Sequence, residues 1–200
     1  MDRGARPLAA LAALHPAGLQ LAFDIAYDTL LTTVARRDRL DEAITTMAHD
    51  SEFTPVVTRL GCLRGVSTLT SFGLAVEIGD WARLTGRSVG AYLGLVPTES
   101  SSGGSRSQGS ITKTGNGHAR RLLIEAAWHH RKPYRRPGMD LRRRQQQATP
   151  AARDRGEQAN RRLAARWAAF DARHKRAVVA NTAIARELAG WCWSLAVLSG

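Results

Sequence analysis

The sequence predicts a mostly α-helical chain, and three observations predict it. Apolar residues recur at spacings of three and four along most of the length, helix-start signals such as Thr54-Pro55 precede several of those stretches, and no segment shows the apolar/polar alternation of a strand. Two hundred residues, 44% apolar and 23% charged, are enough for one or two small domains with a buried core.

The first element is long. From Gly18 to about Asp50, Leu19, Phe23, Tyr27, Leu30, Val34, Ile44 and Met47 form an apolar stripe, while Asp24, Asp28, Arg36, Arg37, Asp38, Arg39, Asp41 and Glu42 populate the polar face. Mixed-sign charge of this kind suits either a solvated helical spacer or the flank of a dimer-forming coiled coil. Thr54 caps a short helix that opens on Pro55 and runs to Leu60. A tight turn at Leu63-Arg64-Gly65-Val66-Ser67 leads into a second helix, Thr68 to Ile78. Asp80 is read as capping a short helix with Trp81 and Leu84, and Ser88 another with Val89, Tyr92 and Leu93.

Gly94 to Gly117 is rich in glycine and serine, has too little apolar matter for a core element, and is read as a long loop. His118 to His130 returns to a helix. Residues 132–150, with three prolines and runs of arginine and glutamine, are read as a linker or flexible basic arm. Two more helices follow from about Arg153. The five tryptophans fall mostly at helical core spacing.

Charge divides the chain in two. Residues 1–100 carry nine basic and eleven acidic side chains, whereas residues 101–200 carry twenty and six. A surplus confined to one half points to a polyanionic partner, because cations placed on phosphates release counterions. Only three of the 29 basic residues are lysine, and guanidinium groups suit bidentate phosphate contacts. Cys62 and Cys192 are far apart in apolar contexts, which indicates neither a disulfide framework nor a metal site, and His129-His130 has no third ligand at suitable spacing. The opening MDRGARPLAALAALHPAG has an apolar run broken by His15-Pro16 and no cleavage site, so a cytoplasmic, nucleoid-associated protein with no membrane contact is expected.

The helix, turn, helix unit around Gly65 resembles a helix-hairpin-helix, whose turn amides meet a DNA phosphate. Gly65 and Val66 fit that pattern, but Arg64 replaces its usual proline and Ser67 its second glycine, so a purely structural turn is the competing reading. In the Gly/Ser segment, Pro97 is followed five residues on by Ser102-Gly103, and Gly109, Lys113, Gly115 and Arg120 come after it. Glu77-Ile78-Gly79-Asp80 and Ala91 to Pro97 lie upstream, and Ala185 to Gly190 with Trp193 downstream. These residues, over roughly positions 20–198, resemble the C-terminal, serine recombinase-like domain of insertion-sequence transposases of the IS110/IS116/IS902 type.

The resemblance implies that Ser102, with Ser101 as the alternative if the register slips, attacks a DNA phosphodiester. It assigns Lys113 and Arg120 to the catalytic set and leaves Gly103, Gly104 and Arg106, together with Arg121, Arg131, Arg135 and Arg136, for nucleic-acid binding. The competing reading of the segment is a disordered Gly/Ser linker. DNA and an element-encoded structured RNA are the implied partners, along with a second copy or a full-length transposase. No cofactor is expected in this chain, since the family's acidic, divalent-metal domain would precede residue 1 and is expected to be missing. The domains are then 1–50 spacer helix, 51–131 transposase C-terminal domain, 132–150 basic linker and 151–200 C-terminal helices. A non-catalytic nucleic-acid-binding remnant and a helical oligomerisation module are the alternatives.

Overall fold

A computed structural model of the chain describes residues 16–102 and 105–199, with residues 100–102 and 105–108 described by their backbone alone. The elements are α1 (Pro16–His49), α2 (Thr54–Leu60), α3 (Thr68–Ile78), α4 (Ser88–Tyr92), β1 (Pro97–Ser102), β2 (Ser105–Ile111), α5 (Gly117–Ala127), a 3-10 turn (Trp128–His130), α6 (Met139–Gln146), α7 (Pro150–Asp171) and α8 (Ala177–Ala196). The mostly helical expectation holds, with the long first helix and the two C-terminal helices where the periodicity puts them. The chain divides into two units, Met1–Ile44 and Thr45–Gly200.

In the first unit the described residues are those of α1 up to Ile44. Most of its apolar side chains are exposed, among them Leu21 at 62% and Phe23 at 63%. Phe23 and Tyr27, one turn apart, stack with ring centroids 5.9 Å apart. Gln20 donates to Asp24 and Arg37 pairs with Asp38 on the polar side.

The second unit is built on α7 and α8. Thr149 caps α7 by accepting from the Ala152 amide, Pro150 occupies its first turn, and Leu163, Trp167, Ile184 and Leu188 are fully buried between elements. Helix α5 packs on α8 through Leu123, Ala126 and Ala127, and buried Asn181 donates to the Ile124 carbonyl at 2.9 Å. The α2–α3 turn is pinned to α7. A Cβ on Gly156 would lie 2.6 Å from the Cys62 Cβ, so only glycine lets that turn approach. Asn160 completes the join by donating to the Cys62 carbonyl at 3.1 Å and accepting from the Arg64 amide at 2.8 Å. Arg59, half-buried, donates to the Leu195 and Ala196 carbonyls and closes the C-terminal end of α8.

Three segments differ from the sequence reading. The Gly/Ser stretch holds an antiparallel pair of strands, with Pro97 opposite Ile111, Glu99 opposite Gln108 and Ser102 opposite Ser105. Thr98, Glu99, Gly109 and Ser110 are exposed, so neither strand needs the apolar alternation that marks a half-buried sheet. The Asp80 segment is a turn, in which Asp80 accepts from the Ala82 amide and Trp81 is buried, rather than a helix. Within the basic stretch 132–150, Met139–Gln146 is helical and docked by buried Leu141 and Ala148.

Candidate functional site

The β-hairpin grows from a tightly fitted root. Helix α4 ends at Gly94, whose φ is +64°, and the returning chain crosses it at Gly115, φ +71°. A Cβ on Gly115 would fall 1.9 Å from the Tyr92 carbonyl oxygen, and one on Gly94 2.3 Å from that of Thr114. Both glycines are required, by backbone conformation and by contact. The Thr112 amide donates to Val96 at 2.9 Å and the Lys113 amide to Gly94 at 3.1 Å. Arg120 then reaches back from α5, its guanidinium donating to the Leu93 carbonyl at 3.0 Å and the Thr114 carbonyl at 2.9 Å. Lys113 is exposed in this turn with φ +57°.

A side-chain cluster beneath the root went unnoticed in the sequence. Asn116 caps α5 by accepting from the Ala119 amide and donates to Glu77, whose second oxygen meets His118 Nδ1 at 2.5 Å. The hydrogen bond from Asn116, followed by that from His118, holds the Glu77 carboxyl below the usual carboxylate range. The only signal was Asn116 standing where a helix cap belongs, ahead of His118.

The tip of the hairpin carries Ser101 opposite Arg106 and Ser102 opposite Ser105. Gly103 and Gly104, expected to approach a phosphate, lie outside the described residues. Five residues of strand separate Pro97 from Ser102, about 16 Å at ~3.3 Å per residue. The expected site residues therefore fall into two groups. Ser101, Ser102 and Arg106 are at the tip, Lys113 and Arg120 are at the root, and the fold does not gather them. Arg121 is exposed on α5, as is Arg131 just beyond the 3-10 turn.

The remaining predicted binding residues meet elsewhere, at the other end of α5. Gly65 has φ +80°, and a Cβ there would fall 2.5 Å from the Ala126 carbonyl and 2.9 Å from His129. The close approach that this glycine permits is thus to α5 of the same chain. The Arg64 amide is taken by Asn160, the Val66 amide by the Leu63 carbonyl, and the Val66 side chain is fully buried. Beside the turn opens a groove of about 640 Å³ lined by Arg64, Gly65, Glu125, Arg135, Arg136 and Arg144, among others. Sequence reasoning found Gly65, Arg135 and Arg136, with Arg144 at the end of the same arginine-rich run of residues 131–144, but not Arg64. Behind it His130 is buried, and burial, with the charges of Arg64 and His129 adding, pushes its pKa down to about 4. Cys62 and Cys192 are buried free thiols pushed up to about 11 and about 12 by burial.

Residues 57–139, which contain the α2–α3 turn, the hairpin with its root, and most of the groove, match the model of the Transposase IS116/IS110/IS902 family. The chain is homologous to insertion-sequence transposases of that family. It is 38% identical over 166 residues to a protein of Sinorhizobium fredii named as a transposase, a match covering 82% of this chain and 42% of the relative. A protein of Pseudomonas aeruginosa named as a family 20 transposase is 36% identical over 104 residues, 50% of this chain and 29% of its own length. The transposase for insertion sequence element IS1328 of Yersinia enterocolitica is 40% identical over 70 residues, 34% of this chain and 21% of its length. The chain thus spans about two-fifths or less of these relatives. Arg144 lies beyond the family match. Among the described residues no group of three or more His, Cys, Asp or Glu side chains is placed to hold a metal ion, and no helix is long and apolar enough to cross a membrane.

Proposed function

We propose that this chain takes part in DNA transposition, holding DNA through its basic C-terminal half and presenting Ser102 at the hairpin tip as the nucleophile. Homology to the transposase family over residues 57–139, which include Pro97, Ser102, Lys113 and Arg120, is the observation that carries this reading. In the reaction the Ser102 Oγ forms a bond to phosphorus as one phosphorus–oxygen bond to a sugar breaks. The serine proton passes to the departing sugar oxygen and returns when the strand is rejoined, so bond energy is conserved. Arg106, which pairs with Ser101 in the ladder, is the hairpin cation we assign to the developing charge. An element-encoded structured RNA and a second copy or full-length transposase are the partners.

The second reading is nucleic-acid binding without chemistry. It is favoured by Arg120, which is spent on two backbone carbonyls, and by the strand length between Ser102 and Lys113. One experiment divides the two. With a DNA junction, the structured RNA and a full-length partner present, wild-type chain is expected to form a denaturation-resistant adduct with DNA and Ser102→Ala none. DNA affinity of the variant should stay within about 1 kcal/mol. An adduct that survives Ser102→Ala and disappears with Ser101→Ala moves the nucleophile by one residue. No adduct from wild type leaves the binding reading in place.

A further inference from the structure

The groove beside the α2–α3 turn gathers more positive charge than the fold uses. Arg64 donates to the Arg135 carbonyl at 2.6 Å, and its guanidinium lies 6.0 Å from the centre of the Tyr134 ring. That bond ties the irregular segment 134–136 to the turn. Arg144 reaches the groove from α6, half-buried, with its Nε on the Gly61 carbonyl at 3.2 Å. A smaller depression of about 330 Å³ adjoins it, shares Asp140 and Arg144, and adds Arg143. Five arginines thus face two carboxylates, Glu125 and Asp140. Neither Arg135 nor Arg136 pairs with an acidic side chain among the described residues, and both are exposed. Burial lowers the pKa of Arg144, with only Asp140 and the Cys62 thiol opposing, so an anion beside it would offset a cost already present.

We propose that this groove is a phosphodiester clamp, in which Arg64, Arg135, Arg136 and Arg144 seat the sugar-phosphate backbone of a nucleic-acid strand away from the hairpin. It rests on the nucleic-acid reading above and gives that reading a second contact. Planar guanidinium groups reaching in from three segments suit phosphate oxygens, and the Ser67 and Thr70 hydroxyls, hydrogen-bonded to each other in the same lining, leave one further proton to donate. The hairpin root sits at the N-terminal end of α5 and the groove at its C-terminal end, so root and groove are about one 11-residue helix apart, roughly 16 Å at ~1.5 Å per residue. A strand held in the groove is thereby fixed in register with respect to the hairpin. Glu125 and Asp140 work against the phosphate, which makes the site adjustable in both directions.

The test is a salt titration with three fluorescent probes: a short duplex DNA, its single strand and a short hairpin RNA. The probe bound tightest by the intact chain identifies the source of the backbone. The double reversal Arg135→Glu/Arg136→Glu should weaken that probe about tenfold or more and reduce the slope of log affinity against log salt by about 2, with the melting temperature unchanged. Glu125→Gln should tighten binding severalfold, an effect that a merely structural role would not give. If the double variant fails to fold, Arg136→Gln and Glu125→Gln are compared with wild type by the same opposite-sign criterion. Wild-type binding that neither the reversal nor Glu125→Gln alters overturns the groove and leaves the functional reading intact. Failure of all three probes to bind wild type at low salt removes the nucleic-acid reading itself, and the clamp with it.

Discussion

The root and the tip of the hairpin are a few residues apart in sequence and are held by different forces. At the root, two glycines with positive φ interlock backbone against backbone, Arg120 spans two carbonyls, and Asn116, Glu77 and His118 tie the start of α5 to α3. At the tip, the antiparallel ladder joins Ser101 to Arg106 and Ser102 to Ser105, and an isolated two-stranded hairpin is marginally stable in water. The residues that look most like a reaction centre in one dimension therefore include several whose work is mechanical. Gly115 and Arg120 build the post, and Ser102 is what the post carries.

The largest effect that would break this comparison comes from one methyl group. Gly115→Ala places a Cβ 1.9 Å from a backbone oxygen at a φ that alanine disfavours, and neither partner is a flexible side chain. A loss of about 3 kcal/mol or more is expected, measured by denaturant unfolding. Gly109→Ala, in β2, would bring its Cβ 2.4 Å from the Thr98 hydroxyl, a side-chain atom that can rotate away. It should cost less than about 1 kcal/mol. Equal losses for the two would mean that root and strand are fixed alike.

Acid should act on the body to which the root is fastened. His130 is buried as the neutral imidazole with a pKa of about 4, against an ordinary value near 6.5, so the unfolded chain takes up the proton first. The stability it protects is complete above about pH 6.5, falls as the pH drops through that window, and is fully lost below about pH 4. The whole step is worth about 3 kcal/mol. Unfolding measured from pH 7.5 to 4 should show that slope, and His130→Leu should flatten it. Hydrogen exchange over the same range sharpens the contrast. The Leu95 and Lys113 amides, bonded to Gly90 and Gly94, should lose protection in step with global stability, while amides of the tip should exchange quickly even at neutral pH.

Much of the helical frame was readable because periodicity reports burial. Thr68 to Ile78 and the two C-terminal helices each bury a stripe. The hairpin was invisible for the same reason: a ladder composed largely of serine, threonine and glycine, exposed at Thr98, Glu99, Gly109 and Ser110, has no apolar rhythm. Helix α6, MDLRRRQQ, has Leu141 as its one buried residue, and so its sequence reads as a charged arm. The spacing of Pro97, Ser102, Lys113 and Arg120 was legible, but what each does depends on contacts between distant parts of the chain. Arg64 and Arg144, 80 positions apart, meet in the groove for reasons held in the packing of Gly156 and Asn160 against the α2–α3 turn.

An effect smaller than those at Gly115 and His130 is expected at Arg120, and it decides which side of the comparison that residue belongs to. Its guanidinium makes two charge-assisted hydrogen bonds, to Leu93 and Thr114, in a partly buried position. Arg120→Ala leaves both carbonyls to find water, which costs about 2 kcal/mol, or roughly 4–8 °C of melting temperature for a unit of this size. Adduct formation should fall as well, because a loosened root no longer holds the tip in register, and it should recover in part when the assay is cooled below the variant's melting range. A cation acting directly on the transferring phosphate would behave otherwise, since cooling cannot replace a missing charge. An Arg120→Ala chain with unchanged melting temperature and no adduct at any temperature would therefore transfer Arg120 from the post to the reaction. An adduct yield that tracks the folded fraction would keep it at the root.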